Sequence, residues 1–299
     1  MKNSLLFLSI CIFLFACKSE PERILIKLNK GQKYKQRVVS TTTNTQNAGG
    51  KNRSTTAVSE SVYNYEVVDV QDSIYTFKVE YESMTTSLQK EGGEAIPNKG
   101  PAGEMLEKIK GQAYQIKMSN TGRIVEIVGA DSIFLKLANS APGLTEEMRS
   151  SLSATFIKTY GDSAIRNNSF QYANVYPSKA VVEGDTWSVK KEGGKDLFSP
   201  KVDATYRVDK ITGSEYLIGM KSKLSVNTDE KNSPLFAISM YGTMDSTSEI
   251  DKKTGLVTET KMKQDMVGNM KILKGPPSMT GTSIMMQAKG EITVTNTLM

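Results

Sequence analysis

The chain carries two thiols, Cys11 and Cys17, and no histidine. Without an imidazole there is no Ser-His-Asp or Cys-His pair and no His-ligated zinc or copper. Nor is there a side chain whose ordinary pKa lies near neutrality to act as a general base. Carboxylate-only chemistry and oxygen-ligated Ca²⁺ survive this exclusion, yet no D-x-[DN]-x-[DN]-G loop occurs. The two thiols differ in setting. Cys17 follows Leu14-Phe15-Ala16 at the end of an apolar run from Ser4, behind the basic start Met1-Lys2-Asn3. That run is shorter than the roughly 20 residues a membrane-spanning helix needs and has the length of a signal-peptide core.

This arrangement resembles the bacterial lipoprotein signal, in which the cysteine thiol is acylated and the chain is cut just before it. The resemblance implies a signal peptide over residues 1-16, lipidation at Cys17 and a short tether over 17-23. It also implies attachment to the outer membrane by the lipid, with the periplasmic side and the cell surface both open. Each buried methylene of an acyl chain contributes about 0.8 kcal/mol, so several chains on one cysteine hold a protein firmly. Lys18-Ser19-Glu20-Pro21-Glu22 looks like the surface-export signal of Bacteroidota lipoproteins, interrupted by Ser19 and Pro21. Cys11 leaves with the signal and Cys17 is acylated. No thiol then remains for a disulfide, a metal site or catalysis. The expectation is a non-enzyme with no catalytic residue, no metal and no cofactor.

Three further motifs occur in the order used by penicillin-binding proteins: Ser87-Leu88-Gln89-Lys90, Ser225-Val226-Asn227 and Lys253-Thr254-Gly255. That chemistry needs the serine at the start of a helix and Lys-Thr-Gly on a strand lining the site. Here the serine ends a strand and Lys-Thr-Gly falls in a hairpin turn. The methionines pose a second question, since eight of the 15 lie between Met240 and Met286, mostly on one face. They can line a pocket for acyl chains or fill the core of a curved sheet, which is their commoner use.

The formal net charge is +6 with a pI near 9.0. Lysines alternate with acids along most strands, as on a solvated surface, and an exported protein meets little nucleic acid. Attraction to anionic headgroups or phosphorylated glycolipid is the alternative use of this charge. After the signal no apolar run is long enough to span a bilayer.

The positioning elements read as antiparallel β. Tyr75, Phe77, Val79 and Tyr81 share one face of a strand, with Thr76, Lys78 and Glu80 on the other. Tyr63, Tyr65 and Val67 alternate in the same way before a turn at Gln71-Asp72-Ser73. The second half repeats the pattern. Tyr65-Glu66-Val67 matches Tyr206-Arg207-Val208, Tyr75 matches Tyr216, and Gly31 to Tyr34 matches Gly184 to Trp187. Asn120-Thr121-Gly122 matches Lys253-Thr254-Gly255. The glycines fit positive-φ turn positions.

Later strands carry Ile238, Met240, Gly242 and Met244, then Met262, Met266 and Met270, and finally Met286, Ala288, Gly290, Ile292 and Val294 on one face. Gly268 and Gly290 are expected bending points. Helices are predicted from Asp131 to Leu137, from Thr145 to Tyr160, from Asp162 to Phe170 and over 104–110. Residues 46–57, 89–103 and 190–200 read as loops. The predicted fold is α+β and mainly antiparallel β, with two related curved meander units, half-barrel or barrel-like, joined by helices. The boundaries are 24-129 for the first unit, 130-172 for the helical connector and 173-299 for the second unit.

Tyr176-Pro177-Ser178-Lys179 followed by Val181-Val182-Glu183-Gly184-Asp185-Thr186-Trp187 resembles a family of uncharacterised Bacteroidota lipoproteins. Its Gly-x-x-Tyr strand fits Gly31 to Tyr34, and its Thr-Gly hairpin fits Thr121-Gly122. The resemblance implies an exported lipoprotein of unknown function and assigns no catalytic residue. The expected role is binding of an apolar or lipid-like ligand. The alternative is an envelope scaffold with a solid core that engages a protein partner or glycan. The chain is expected to be monomeric, to meet the membrane through Cys17 and to bind no nucleic acid.

Overall fold

A computed structural model describes residues 20–48, 50–97, 100–168, 174–193, 200–228, 235–276 and 278–299. Cys17 and the signal segment lie outside the described residues. The first strands are β1 (Lys33–Ala48), β2 (Lys51–Gln71), β3 (Ile74–Lys90) and the two-residue β4 (Ile96–Pro97). Helix α1 (Pro101–Glu107) precedes β5 (Ala113–Ser119) and β6 (Ile124–Val128). Helices α2 (Ala130–Asn139), α3 (Glu146–Tyr160) and α4 (Asp162–Asn168) follow. The chain continues through β7 (Thr186–Lys191), β8 (Lys201–Ile211), β9 (Glu215–Asn227), β10 (Phe236–Asp251), β11 (Val257–Ile272) and β12 (Ser283–Leu298).

All these strands join one 12-stranded antiparallel sheet in the order β6-β5-β3-β2-β1-β12-β11-β10-β9-β8-β7, with β4 beside β3. The sheet is open and curved, with β6 and β7 at its edges. Strand β12 lies between β1 and β11, so the two meanders are continuous through it.

The same local geometry recurs in both halves. Gly31 donates to the Val67 carbonyl at 2.8 Å and Val67 donates to that of Gln32 at 2.9 Å. Gly184 donates to Val208 at 2.8 Å and Val208 to Asp185 at 2.9 Å. A bulge follows each valine, at Val67/Asp69 and at Val208/Lys210.

The β1–β2 hairpin corrects one expectation. Residues 46–57 read as a loop because they are polar on both faces, yet pairing continues to Ala48↔Lys51. Threonine suits strands, and the polar side chains bond across the ladder. Thr43 meets Thr56 at 2.9 Å, Thr45 meets Ser54 at 2.9 Å, and Asn47 donates to Asn52 at 2.7 Å. Similarly, β3 reaches Lys90 and α1 begins at Pro101, inside the segment read as 89–103.

The helices carry a second correction. Thr145 caps α3 as predicted, its hydroxyl accepting from the Met148 amide at 3.2 Å. The N-cap of α2, however, is Gly129, at φ 105°. Asp131 instead accepts from the Asp162 amide at 2.8 Å, while the Asp162 carboxylate accepts from the Ala130 amide at 3.0 Å. Each carboxylate therefore serves the start of the other's helix, where unsatisfied amides and the helix dipole favour negative charge. Helix α4 is described to Asn168, and the rest of the predicted helix to Phe170 lies outside the described residues.

Two hydrophobic clusters result. The first packs Val67, Phe77, Val79 and Tyr81 against Met105, Leu106, Phe134, Leu137 and Phe156 of the helices. The second collects Val202, Tyr206, Val208, Ile218, Met220, Met244, Met262 and Met266 from β8 to β11. The segment before β1 stitches the two together, with Ile24 buried in the second and Ile26 and Leu28 in the first. Ile26 donates to Asn120 at 2.8 Å and Lys27 to Thr254 at 2.7 Å, so this segment runs between the two hairpin turns. Gly255, at φ 65°, has Leu25 against it: a Cβ there would lie 1.8 Å from the Leu25 carbonyl oxygen. The turn glycine is required by the chain's own backbone. Gly242 and Gly268 face each other's strands just as closely, and a Cβ on either would lie 2.0 Å from a carbonyl oxygen. At Gly268, read from the sequence as a bending point, the structure shows a close approach of β10 that leaves no room for a side chain. Gly290 has nothing nearer than 3.8 Å and is not a forced position.

Candidate ligand cavity

The inner face of the first meander is unusually rich in tyrosine. Strand alternation puts Tyr34 of β1, Tyr63 and Tyr65 of β2, Phe77 and Tyr81 of β3, and Tyr114 of β5 on one side. A register shift at Val62/Tyr63 sets Tyr63 opposite Tyr81. The rings follow one another in a row. Tyr34 stacks on Tyr65 at 4.6 Å between centroids, Tyr65 lies 6.5 Å from Tyr63, Tyr63 5.1 Å from Tyr81, and Tyr81 5.6 Å from Tyr114. Such offset and tilted contacts stabilise the row beyond simple burial.

Helices α3 and α4 do not close completely onto this row. A cavity of about 400 Å³ remains, within the range of small-molecule sites. Thr159, Tyr160 and Ile165 come from the helical side, and Tyr176, Leu256 and Val257 from the second meander's turn. Gln36, Ser59, Ser61 and Asn296 form a polar strip on the sheet. The amides in that strip are already engaged. Gln36 donates to Asn296 at 3.0 Å, Asn296 donates to the Val257 carbonyl at 2.7 Å, and Tyr65 donates to Gln36 at 3.3 Å.

Three tyrosines in the wall are almost wholly buried, at 4% exposure for Tyr34, 1% for Tyr81 and 5% for Tyr114. Their hydroxyls have no hydrogen-bond partner among the described residues, in contrast to Tyr176, which donates to the Gly255 carbonyl at 2.8 Å. Burial, reinforced by the neighbouring tyrosines, pushes the phenols of Tyr34 and Tyr114 well above their ordinary range and raises Tyr81 as well. These groups are therefore neutral donors at any physiological pH. No described residue lining the cavity is charged.

The other motifs are dispersed. Ser87 lies on β3 and Ser225 on β9, with five strands between them in the sheet. Thr254 belongs to a turn, with its amide 2.7 Å and its hydroxyl 2.6 Å from Asp251. The methionines of β9 to β11 fill the second core, with Met244 at 1% and Met262 at 3% exposure. Charge on the outer face is spread through pairs such as Lys35–Glu82, Lys117–Glu126 and Lys263–Glu291. Sequence reasoning used Tyr63, Tyr65 and Tyr81 only to mark strands. The signal for a cavity was that seven of the 12 tyrosines line it, most of them in the first half.

Comparison with known proteins fixes the family. A profile described as a family of unknown function, DUF6263, matches residues 72–257, more than half of the chain. The chain belongs to that family. No curated protein matches it in sequence. Among solved structures, one of lipovitellin, concerned with its lipid–protein interactions, is similar at a TM-score of 0.52 and 7% identity. It covers 89% of this chain and 25% of its own. This DUF6263 chain thus spans a quarter of the lipovitellin chain, and the likeness is one of fold. An outer membrane channel from Pseudomonas putida F1 covers 91% of this chain and 97% of its own at 8% identity. Its TM-score is only 0.24, too low to carry an argument.

Proposed function

We propose that this member of DUF6263 is a non-enzymatic binding protein that holds an apolar, lipid-like ligand in the tyrosine-lined cavity. In this reading it is an exported lipoprotein of the Bacteroidota type, attached to the outer membrane through Cys17 and acting as a monomer. The observation that carries the proposal is a cavity of about 400 Å³ lined by aromatic and aliphatic side chains, with three tyrosine hydroxyls in its wall that have no partner among the described residues. Packing alone would have closed such a space or matched the hydroxyls to protein partners. The shared fold with a lipovitellin structure concerned with lipid–protein interactions is compatible with this reading. The absence of histidine and of a usable thiol in the mature chain supports binding over catalysis.

The scaffold reading draws on the second meander, where Met220, Met244, Met262 and Met266 are buried in one hydrophobic cluster. Native mass spectrometry of a Cys17→Ala form expressed without its signal separates the two. A co-purifying apolar species supports binding. An empty chain that takes up no added long-chain alcohol, ester or acid rules the cavity out as a binding site.

A further inference from the structure

The chemistry of the wall narrows the ligand class, on the reading that the cavity binds a ligand at all. Three features act together. First, no described lysine or arginine lines the cavity, so an ionised carboxylate or phosphate entering it would lose its water without gaining a cation. An unpaired buried charge is far more costly than a buried dipole. Second, the hydroxyls of Tyr34, Tyr81 and Tyr114 have no partner among the described residues, and the rings of Tyr34, Tyr65, Tyr63, Tyr81 and Tyr114 follow one another in contact. A neutral oxygen can be met by such a donor alone, whereas an anionic headgroup also needs a counter-charge. Third, the amides that could have made a polar clamp are tied to each other, as Gln36 is to Asn296. Phenolic and seryl hydroxyls remain, and these both donate and accept.

We infer that the cavity selects an uncharged amphiphile, with an acyl, isoprenoid or ring body that presses on the tyrosine row and carries hydroxyl, ester or ketone oxygens, and that it rejects free fatty acids and phospholipid headgroups.

Photo-crosslinking to the full-length protein in its own membranes tests this. Two clickable diazirine probes of equal chain length are compared at pH 8, one ending in a primary alcohol and one in a carboxylic acid, with labelled peptides mapped by mass spectrometry. The alcohol should label peptides containing Tyr34, Tyr63–Tyr65, Tyr81 or Tyr114 at least tenfold more than the acid. A Ser61→Lys variant, which adds a cation to the wall, should narrow or reverse that ratio. Equal labelling of these peptides by both probes overturns the selectivity while leaving the cavity as a binding site. Labelling confined to other surfaces overturns both the selectivity and the binding reading. Should Ser61→Lys fail to fold, the comparison in the unaltered chain still decides the matter.

Discussion

The Tyr216 hydroxyl donates to the Glu22 carboxylate at 2.7 Å, joining β9 to the segment before β1 across 194 residues of chain. The other carboxylate oxygen accepts from Lys252 at 2.9 Å, and the Lys252 ammonium sits 4.9 Å from the centre of the Tyr216 ring. The segment before β1 is therefore clamped to the second meander.

That clamp has a pH signature. The Lys252 and Tyr216 hydrogen bonds hold the Glu22 carboxyl below its ordinary value of 4.5. A depressed acid contributes stability above its unfolded pKa and loses it as pH falls through the folded one. Because Glu22 is partly exposed and screened, Glu22→Gln should cost only about 1 kcal/mol at neutral pH. The deficit relative to wild type should shrink toward zero as pH falls below 4.5 through the lowered folded value. Denaturant titrations at neutral pH and in this acid range measure it. A deficit that stays constant between them means the charge of Glu22 is not what holds the clamp.

Gly255→Ala should be severely destabilising, by at least about 2 kcal/mol, because the new methyl would combine a positive φ with a collision against Leu25. Gly242→Ala should be comparably damaging, whereas Gly290→Ala should change stability by under about 1 kcal/mol. Thermal unfolding of the three variants gives the ranking. Equal behaviour of Gly242→Ala and Gly290→Ala would contradict the close approach of β10 to β11.

The unmatched phenols separate stability from binding. Tyr34→Phe, Tyr81→Phe and Tyr114→Phe each remove a hydroxyl with no partner among the described residues, so the empty protein should stay within about 1 kcal/mol of wild type. The same substitutions should weaken an oxygen-bearing ligand several-fold and leave a plain hydrocarbon unaffected. A large loss of stability in the empty state would reveal a structural partner for the hydroxyl.

Alkaline pH should unfold this protein cooperatively. Burial raises Tyr34, Tyr81, Tyr114, Tyr160 and Tyr176 above the ordinary 10.0, so their neutral forms stabilise the fold fully below pH 10.0. Above it the unfolded chain ionises first, and each such tyrosine removes up to about 1.4 kcal/mol per pH unit. Phenolate absorbance and circular dichroism should therefore change together. Titration of the whole set near pH 10.0 with the sheet intact would show that these rings are open to solvent.

Strands with one buried face were legible because burial imposes period two. Tyr75, Phe77, Val79 and Tyr81 are all in the first core, and Met244, Met262 and Met266 are in the second. The β1–β2 hairpin was not, because threonine and serine on both faces look like a loop unless the cross-strand hydroxyl pairs are known. Asp131 was placed at the right helix end but in the wrong role, since its partner Asp162 lies 31 residues on. The cavity was hidden for a related reason. Tyr34, Tyr81 and Tyr114 at inward positions are equally suited to a closed core, and only the fit of α3 and α4 onto the sheet decides which results.

The place of β12 bears on how the molecule is assembled. Its contacts with β1 join residues as distant as Gln36 and Asn296, 260 positions apart. Contacts between such remote residues carry a loop-closure cost and form late, so the halves can each collapse first while β1 and β12 keep open ladders of amides and carbonyls. During that interval a like strand from another molecule can occupy the gap. Strand exchange between copies is thus the characteristic assembly error this topology invites, and the speed with which β12 arrives sets how often it happens.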